Sequence, residues 1–358
     1  MTQASSPKPT TQLTKKQRFM GAIEHKPIDR PPVWLMRQAG RYLPEYQAVK
    51  AKYTFHEMCR MPDIAADVSI QPMDRFGMDA IIVFNDILIP LQDMGFTVEY
   101  KEGGPVVDPP ARCHGDLSRI QPARFDETPA VFDSLTEIRR RVGDDVPVLG
   151  FAGAPFTMAA YMSEGVTSKN LRHIKTLTYG QPDLLQQLLE RVTETVIDYL
   201  RIQIKAGVNA VQIFDTWAGA LSKEAYRKFA LPYQQQVIKT IQDEGTPVIL
   251  YVKNSPHVLD ELGDSGAAVV SVDWLTPLNE AHVRLGKSVA LQGNMDPTVL
   301  YANPEAVAQE AQRILEGLDR TTGHIVNLGH GILPETPVES VRAFVETVKG
   351  YEYASHSA

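Results

Sequence analysis

The sequence predicts an α/β protein: a single (β/α)8 TIM barrel with its active site at the carboxyl ends of the strands. Three observations lead to this fold class: eight short apolar runs, helix-length segments between them, and a length of 358 residues, which suits one barrel. Each run is continuously apolar, as is typical of parallel strands covered on both faces. A doubly wound open sheet is the alternative, but no G-x-G-x-x-G follows the first run and no G-x-x-x-x-G-K-[ST] occurs.

Composition excludes several classes of function. The net charge of −7 argues against non-specific nucleic-acid binding. No run of about 18 apolar residues occurs, so no membrane span is expected. Two cysteines form neither a disulfide framework nor a metal cluster, which favours a reduced, cytoplasmic location and no bound metal. We expect a disordered tail over 1–13, one domain over 14–350 and a C-terminal tail over 351–358.

The first element predicted is a short helix, opened by a capping box at Thr14 and Gln17. Pro31 and Pro32 then lead into the first strand. The eight predicted strands are Val33–Met36, Ala80–Phe84, Val146–Phe151, Ala210–Phe214, Val248–Val252, Ala267–Val272, Ser288–Leu291 and His324–Leu328.

Long helices are predicted between the later strands, over Leu184–Lys205, Lys223–Asp243 and Ala306–Leu318. Pro232 is expected to kink or divide the second of them. Between strands two and three, Phe96–Tyr100 and 105–107 flank a Gly-Gly turn, which predicts an inserted β-hairpin.

Strand one is followed by Arg37 and Arg41, four apart with no acid between them. On a helical turn this spacing places both side chains on one face. Guanidinium groups keep their protons and suit carboxylate or phosphate recognition, so the pair predicts an anion site. The alternative is that each arginine pairs with a distant acid or packs its stem over apolar surface.

Strand two is followed by Asp86 in a strongly apolar neighbourhood. A buried carboxylate needs partners or it becomes neutral. Asp86 is therefore either a catalytic carboxylate, a helix cap or the partner of Arg37.

The remaining strand ends add polar groups, each of which also has a structural interpretation. Tyr161 is more simply a core tyrosine. The aromatic residues Phe214 and Trp217 could stack on a ligand, but such a pair more often belongs to the core. Lys253 either forms a Schiff base or, more commonly, an ion pair. Further candidates are Thr216, Asp273 and His330. A predominantly basic mouth on an acidic protein implies a small polyanionic ligand.

Five blocks of sequence, in order, resemble one family. Residues 37–46 (RQAGRYLPEY) resemble the signature of the uroporphyrinogen decarboxylases, and 150–157 resemble its second signature. Residues 214–219, 292–297 and 327–331 match further blocks, so the resemblance extends from about residue 14 to 350.

The resemblance implies a cofactor-free (β/α)8 enzyme, a homodimer, that converts uroporphyrinogen III to coproporphyrinogen III on the route to haem and chlorophyll. Four acetate side chains each lose carbon dioxide. It implies that Arg37 and Arg41 bind substrate carboxylates and that Asp86 holds the pyrrole N–H groups. The other implied substrate-binding positions are Tyr161, Thr216, His330, Phe214 and Lys50. At the position of Lys50, some members of the family have Arg.

The chemistry of the residues agrees with this resemblance. Loss of carbon dioxide from a pyrrole acetate needs an electron sink, and the pyrrole itself serves once a ring carbon is protonated. Asp86 would stabilise that cation. Arg37 is the hypothesised proton donor, directly or through a bound water.

Three rival functions stay open at this point. A zinc-dependent corrinoid methyltransferase would need His and Cys ligands at strand ends, whereas 254–257 supplies only His257 and no Cys follows strand eight. A Schiff-base aldolase would use Lys253. A non-catalytic tetrapyrrole carrier would bind without turnover.

Overall fold

A computed structural model describes residues 13–101, 103–121, 123, 129–286, 288–319 and 322–353. The predicted tails over 1–13 and 351–358 lie outside these residues, except for Leu13 and 351–353.

Seven parallel strands form one sheet in the order β1-β4-β5-β6-β7-β8-β9, consistent with a curled, TIM-like architecture. The strands are β1 (Ile81–Ile82), β4 (Val148–Gly153), β5 (Ala210–Asp215), β6 (Val248–Val252), β7 (Val269–Ser271), β8 (Ala290–Met295) and β9 (His324–Leu328). The inserted hairpin is confirmed, since β2 (Thr97–Lys101) pairs antiparallel with β3 (Gly104–Asp108). The α/β class is therefore confirmed, and each sheet strand lies within a few residues of a predicted one.

The predicted first strand, Val33–Met36, is reduced to an isolated bridge between Val33 and Val326. Side chains replace the missing ladder partners. The Val33 N–H donates to the Asp79 carboxylate at 2.9 Å, and the Met36 N–H donates to Asn327 Oδ1 at 2.9 Å. The apolar run is buried as expected, but its hydrogen bonds are not those of a regular strand.

Sixteen helices accompany the strands in the described residues. They are α1 (Lys15–Ile23), α2 (Pro44–Lys50), α3 (Phe55–Arg60), α4 (Pro62–Phe76), α5 (Ile89–Asp93), α6 (His114–Leu117), α7 (Pro129–Val142), α8 (Pro155–Glu164), α9 (Arg172–Gly180), α10 (Pro182–Lys205), α11 (Lys223–Phe229), α12 (Leu231–Asp243), α13 (Leu259–Gly263), α14 (Leu278–Leu285), α15 (Pro304–Glu316) and α16 (Val338–Lys349). The Thr14 capping box is confirmed, and Pro232 lies in the first turn of α12, where the predicted helix divides.

The sheet interior contains a short polar chain within an apolar core. Trp34 Nε1 donates to Gln292 Oε1 at 3.0 Å, and Gln292 Nε2 donates to Gln212 at 3.1 Å and Ser271 at 3.0 Å. All four side chains are fully buried. These bonds connect the 33–36 segment to strands across the sheet and satisfy groups that burial would otherwise penalise.

None of the helices in the described residues combines the length and the apolar character that a membrane crossing requires.

Buried charges anchor the start of the 33–36 segment. The Asp79 carboxylate is fully buried and accepts from Arg18 Nη1 at 3.0 Å and from Arg30 at 2.6 and 2.9 Å. Arg18 also forms a bidentate pair with Asp29 at 2.6 and 2.7 Å. Two guanidinium groups and one backbone N–H therefore converge on a single carboxylate next to β1.

Asp79→Asn should lower the free energy of unfolding by about 3–5 kcal/mol, because it leaves two arginines facing a neutral group in a buried place. Urea unfolding at pH 7 measures the change. Asp144→Asn is the control, since Asp144 is 89% exposed and 3.7 Å from Lys16, and should change stability by less than ~1 kcal/mol. Equal effects of the two substitutions would contradict the anchoring role of Asp79.

Candidate active site

Arg37 lies in a tight turn at the carboxyl end of the sheet, here called the mouth. Its φ of 60° is left-handed, and residues 37–43 form turns and bends rather than a helix. The expectation that Arg37 and Arg41 share a helical face is therefore wrong. The Arg37 side chain is exposed and makes no hydrogen bond or ion pair with any described residue. The anion site that the sequence places at Arg37 stays a prediction.

Hydrogen bonds from two buried side chains that sequence reasoning missed fix the Arg37 turn. Buried Gln38 donates to the Ala80 carbonyl at 3.0 Å, and Asn327 accepts from the Met36 N–H. The stem of Arg37 packs so closely on Gly331 that a Cβ at that position would collide with it. The only sequence signals were the positions of Gln38 and Asn327 within the quoted blocks.

Asp86 is partly exposed at the mouth but is densely surrounded by protein. Its Oδ1 accepts from the Leu88 N–H at 2.8 Å, so it caps the turn that leads into α5. Burial raises the pKa of Asp86, while the Leu88 N–H, the Tyr100 hydroxyl and the charge of Arg37 act to lower it. A carboxylate held between these opposing effects needs a nearby cation to stay ionised.

Tyr100 is a third residue that sequence reasoning missed. It lies on β2 of the hairpin, and its ring contacts Phe55 edge-on with centroids 4.8 Å apart. Its buried hydroxyl makes no hydrogen bond within the described structure, although it is close enough to Asp86 to influence that carboxylate. The inserted hairpin is thus a wall of the mouth rather than a remote decoration.

His330 follows β9 and lies next to Arg37, whose stem packs on Gly331. Its ring stacks on Tyr251 of β6 with centroids 5.8 Å apart, and Nδ1 lies 3.0 Å from the Tyr251 hydroxyl. Burial, followed by the charges of Arg37 and Lys253, lowers the pKa of His330 to about 3. His330 is therefore neutral at pH 7 and does not add to the basic charge of the mouth.

Tyr161 and Phe214 connect this cluster to neighbouring strands. The Tyr161 ring on α8 meets Trp217 with centroids 6.0 Å apart, and the charges of Asp86 and Arg37 act on its hydroxyl. Phe214 packs edge-on against Tyr251, with ring centroids 6.0 Å apart, so it touches the ring that supports His330.

The charge of Arg37 acts on the pKa of each of Asp86, Tyr161 and His330. These four residues are called the mouth group below.

Thr216 lies on the loop after β5, partly exposed, with buried Asp215 before it and Trp217 after it. The Asp215 carboxylate accepts from the Thr157 hydroxyl at 2.6 Å and from Gln234 at 2.7 Å. The Trp217 N–H donates to the Thr157 hydroxyl at 3.0 Å. The first turn of α8 therefore binds the protein's own carboxylate, and this network fixes the backbone on both sides of Thr216.

Arg41 and Lys50 are exposed, but no contact places them in the mouth group. The charge of Arg41 acts on Tyr46. Lys50, at the end of α2, lines a cavity of about 300 Å³ together with Tyr46 and Phe55. Because Phe55 also contacts Tyr100, this cavity adjoins the hairpin wall.

Lys253 and Asp273 lie at the ends of β6 and β7. Lys253 forms no ion pair within 4.0 Å among the described residues, contrary to the expected ion pair. Its charge nevertheless acts to lower the pKa of both Asp273 and His330. Burial is the largest influence on Asp273 and raises its pKa. Asp273 accepts from the Ser255 and Leu275 N–H groups at 3.2 and 2.9 Å, so it organises the adjoining loops.

Among the residues that the structure describes, no group of three or more His, Cys, Asp or Glu side chains could hold a metal ion.

Comparison with known proteins gives a consistent result along the chain. Residues 14–351 match the family model described as uroporphyrinogen decarboxylase. A protein of that name from Pelobacter propionicus is 46% identical over 333 residues, covering 93% of this chain and 98% of the relative. Another from Gloeobacter violaceus is 44% identical over 337 residues, covering 92% and 96%.

Solved structures share the fold at lower identity. A methyltransferase from Methanosarcina mazei has a TM-score of 0.77 at 23% identity, covering 94% of this chain and 98% of its own. A B12-independent methionine synthase from a Shewanella strain has a TM-score of 0.56 at 12% identity, covering 90% and 98%. At these identities the likeness concerns the fold alone.

The Asp215 network predicts how stability depends on pH. Burial raises the pKa of Asp215 from 3.8 to about 6. Between these values the folded protein keeps a proton that the unfolded chain has lost, so Asp215 contributes stability below about pH 4 that disappears as the pH rises through about 6.

Asp215→Asn removes this proton but keeps an acceptor for Thr157. The free energy of unfolding of the wild type minus that of the variant should therefore fall by about 1.4 kcal/mol per pH unit across this window. Urea unfolding at four pH values from about 4 to 7 measures it. A flat or rising difference would contradict the raised pKa.

Proposed function

The chain belongs to the uroporphyrinogen decarboxylase family, and we propose that its mouth group binds uroporphyrinogen III and removes carbon dioxide from the four acetate side chains. As a member of that family it is a carboxy-lyase of tetrapyrrole biosynthesis. One observation carries the assignment of the site: the exposed Arg37, which has no partner among the described residues, lies close enough to the recessed Asp86 for its charge to favour the ionised carboxylate.

Asp86 is proposed to stabilise the cation formed when a pyrrole ring carbon is protonated. The protonated ring then accepts the electron pair left as carbon dioxide departs, so no other electron sink is required. One close opposite charge contributes about 4 kcal/mol at an effective dielectric constant near 20. Because about 1.4 kcal/mol corresponds to a tenfold rate, this term accounts for roughly two or three decades.

The cationic groups are proposed to bind the carboxylates of the substrate. Arg37 offers a planar fork next to Asp86, where the reacting acetate would lie. Arg41, near Tyr46, and Lys50, on the adjoining cavity, are placed for carboxylates farther from the reacting ring. An overall acidic protein with these local cations favours a polyanion of limited size over a nucleic acid.

The remaining residues are proposed to orient the substrate and the proton. In this proposal the flat face of Phe214 and the hydroxyl groups of Tyr161 and Thr216 contact the substrate. Arg37 is the proposed source of the proton, directly or through a bound water.

We also propose a closed eight-stranded barrel in one domain over 14–350. Two backbone hydrogen bonds support the closure: the Val326 N–H donates to the Pro32 carbonyl at 2.8 Å, and the Asp79 N–H donates to the Val33 carbonyl at 2.8 Å. Residues 32–33 thus bridge β9 and the start of β1. A cytoplasmic homodimer is proposed on the family resemblance.

The direct test is anaerobic incubation of metal-stripped protein with uroporphyrinogen III. The products are oxidised and their carboxylates counted by chromatography. Conversion from eight carboxylates to four without added cofactor supports the proposal. Binding without conversion would support a carrier, whereas conversion only after metal addition would support a metal-dependent enzyme.

Asp86→Asn should lower kcat by about 10²–10³-fold, because it removes the anion facing the protonated ring and changes the shape little. Steady-state kinetics under anaerobic conditions measure the change. Asp273→Asn is the matched control, since Asp273 is likewise a strand-end carboxylate that accepts backbone N–H bonds, and it should lose far less. Near-normal turnover of Asp86→Asn would refute the electrostatic role.

Arg37→Lys keeps the charge but loses the planar fork, so kcat/KM should fall by about tenfold. The same assay measures it, with Arg313→Lys as the control, because Arg313 forms its pair with Glu310 on a surface helix. If the two variants are equally active, bidentate binding by Arg37 is wrong.

A further inference from the structure

Three atoms around His330 determine where its proton lies. The Tyr251 hydroxyl oxygen is 2.9 Å from the Gly329 carbonyl oxygen and 3.0 Å from His330 Nδ1. The Tyr251 side chain is fully buried, and its ring stacks on the imidazole with an interplanar angle of 8°. The hydroxyl is therefore held close to both neighbours, away from bulk water.

A count of hydrogens selects one arrangement. The hydroxyl has one hydrogen, and a carbonyl oxygen can only accept. If Tyr251 donated to His330, two oxygen atoms with lone pairs would face each other at 2.9 Å in a buried place. If Tyr251 donates to Gly329 instead, the Nδ1–H of His330 donates to the tyrosine oxygen and every contact is satisfied.

The other ring nitrogen is then left with a bare lone pair. Nε2 makes no hydrogen bond to any described residue and is not among the buried unsatisfied atoms, so it has accessible surface at the mouth. The charges of Arg37 and Lys253 and the burial of the ring lower the pKa of His330, which keeps Nε2 unprotonated at pH 7.

We propose that Tyr251 is a positioning residue that holds His330 as the Nδ1–H tautomer, so that Nε2 is a hydrogen-bond acceptor at the mouth. An acceptor recognises a donor, such as a pyrrole N–H, and repels a carboxylate. His330 therefore accepts a hydrogen bond from an N–H group of the ligand, while the arginines bind its carboxylates. Only the identity of that ligand rests on the proposed function.

The tautomer is measured by nitrogen NMR of wild-type protein with labelled histidine, in the absence of substrate. The His330 resonances are assigned by their loss in His330→Gln. We expect a protonated Nδ1 and an unprotonated Nε2 at pH 7. A protonated Nε2 in the wild type would overturn the proposal, and this measurement needs neither a functional site nor a Tyr251 variant.

Tyr251→Phe then tests the role of the hydroxyl while keeping the stacked ring. The variant should populate the Nε2–H tautomer, whereas Tyr226→Phe, which loses a buried hydroxyl bonded to Gln234, should leave the His330 spectrum unchanged. An unchanged tautomer in folded Tyr251→Phe would overturn the proposal.

Kinetics separate positioning from a merely structural effect. With uroporphyrinogen III, Tyr251→Phe should raise KM by about 3- to 10-fold with little change in kcat, because a contact made before and during reaction weakens equally. Unchanged KM despite a shifted tautomer would overturn the recognition role. Absence of turnover in the wild type would instead count against the proposed function, and the NMR result would stand independently.

Discussion

The arrangement of the mouth depends on how residues 33–38 are fixed beside β9 without a regular strand ladder. A buried backbone must satisfy its N–H and C=O groups, and here side chains do so at both ends of the segment. Asp79, neutralised by two arginines, takes the first N–H, while Asn327 and Gln38 secure the turn at the other end. This places Arg37 over Gly331, next to His330, and no described residue forms a hydrogen bond with its guanidinium group.

Electrostatics at the mouth follow from this placement. Arg37 acts on a carboxylate, a phenol and an imidazole, and it moves the pKa of Asp86 and of His330 in the same downward direction. Asp86 is thereby helped to stay charged, while His330 is kept neutral. The Asp86 carboxyl group and the neutral imidazole of His330 thus lie close to the charge of Arg37 in a site partly withdrawn from water, where charge interactions are stronger than in bulk solvent.

The fold alone would leave the activity open, because a methyltransferase and a methionine synthase share it at low identity. The distinction comes from family membership, since residues 14–351 match the uroporphyrinogen decarboxylase model. The Arg37–Asp86 pair is the proposed place of that chemistry, and the charge of Lys253 acts on its neighbours Asp273 and His330.

The sequence by itself determined the α/β class, seven of the strands, the hairpin, the Thr14 cap and the family, because these follow from local periodicity, turn residues and contiguous motifs. It could not determine that 33–36 forms only a bridge, that the Arg37 turn is left-handed or that His330 is neutral. Those outcomes depend on Asp79, Asn327 and Tyr251, which meet their partners only after folding. Hydrogen-bond competition and burial depend on such distant neighbours, so the tertiary structure alone decided them.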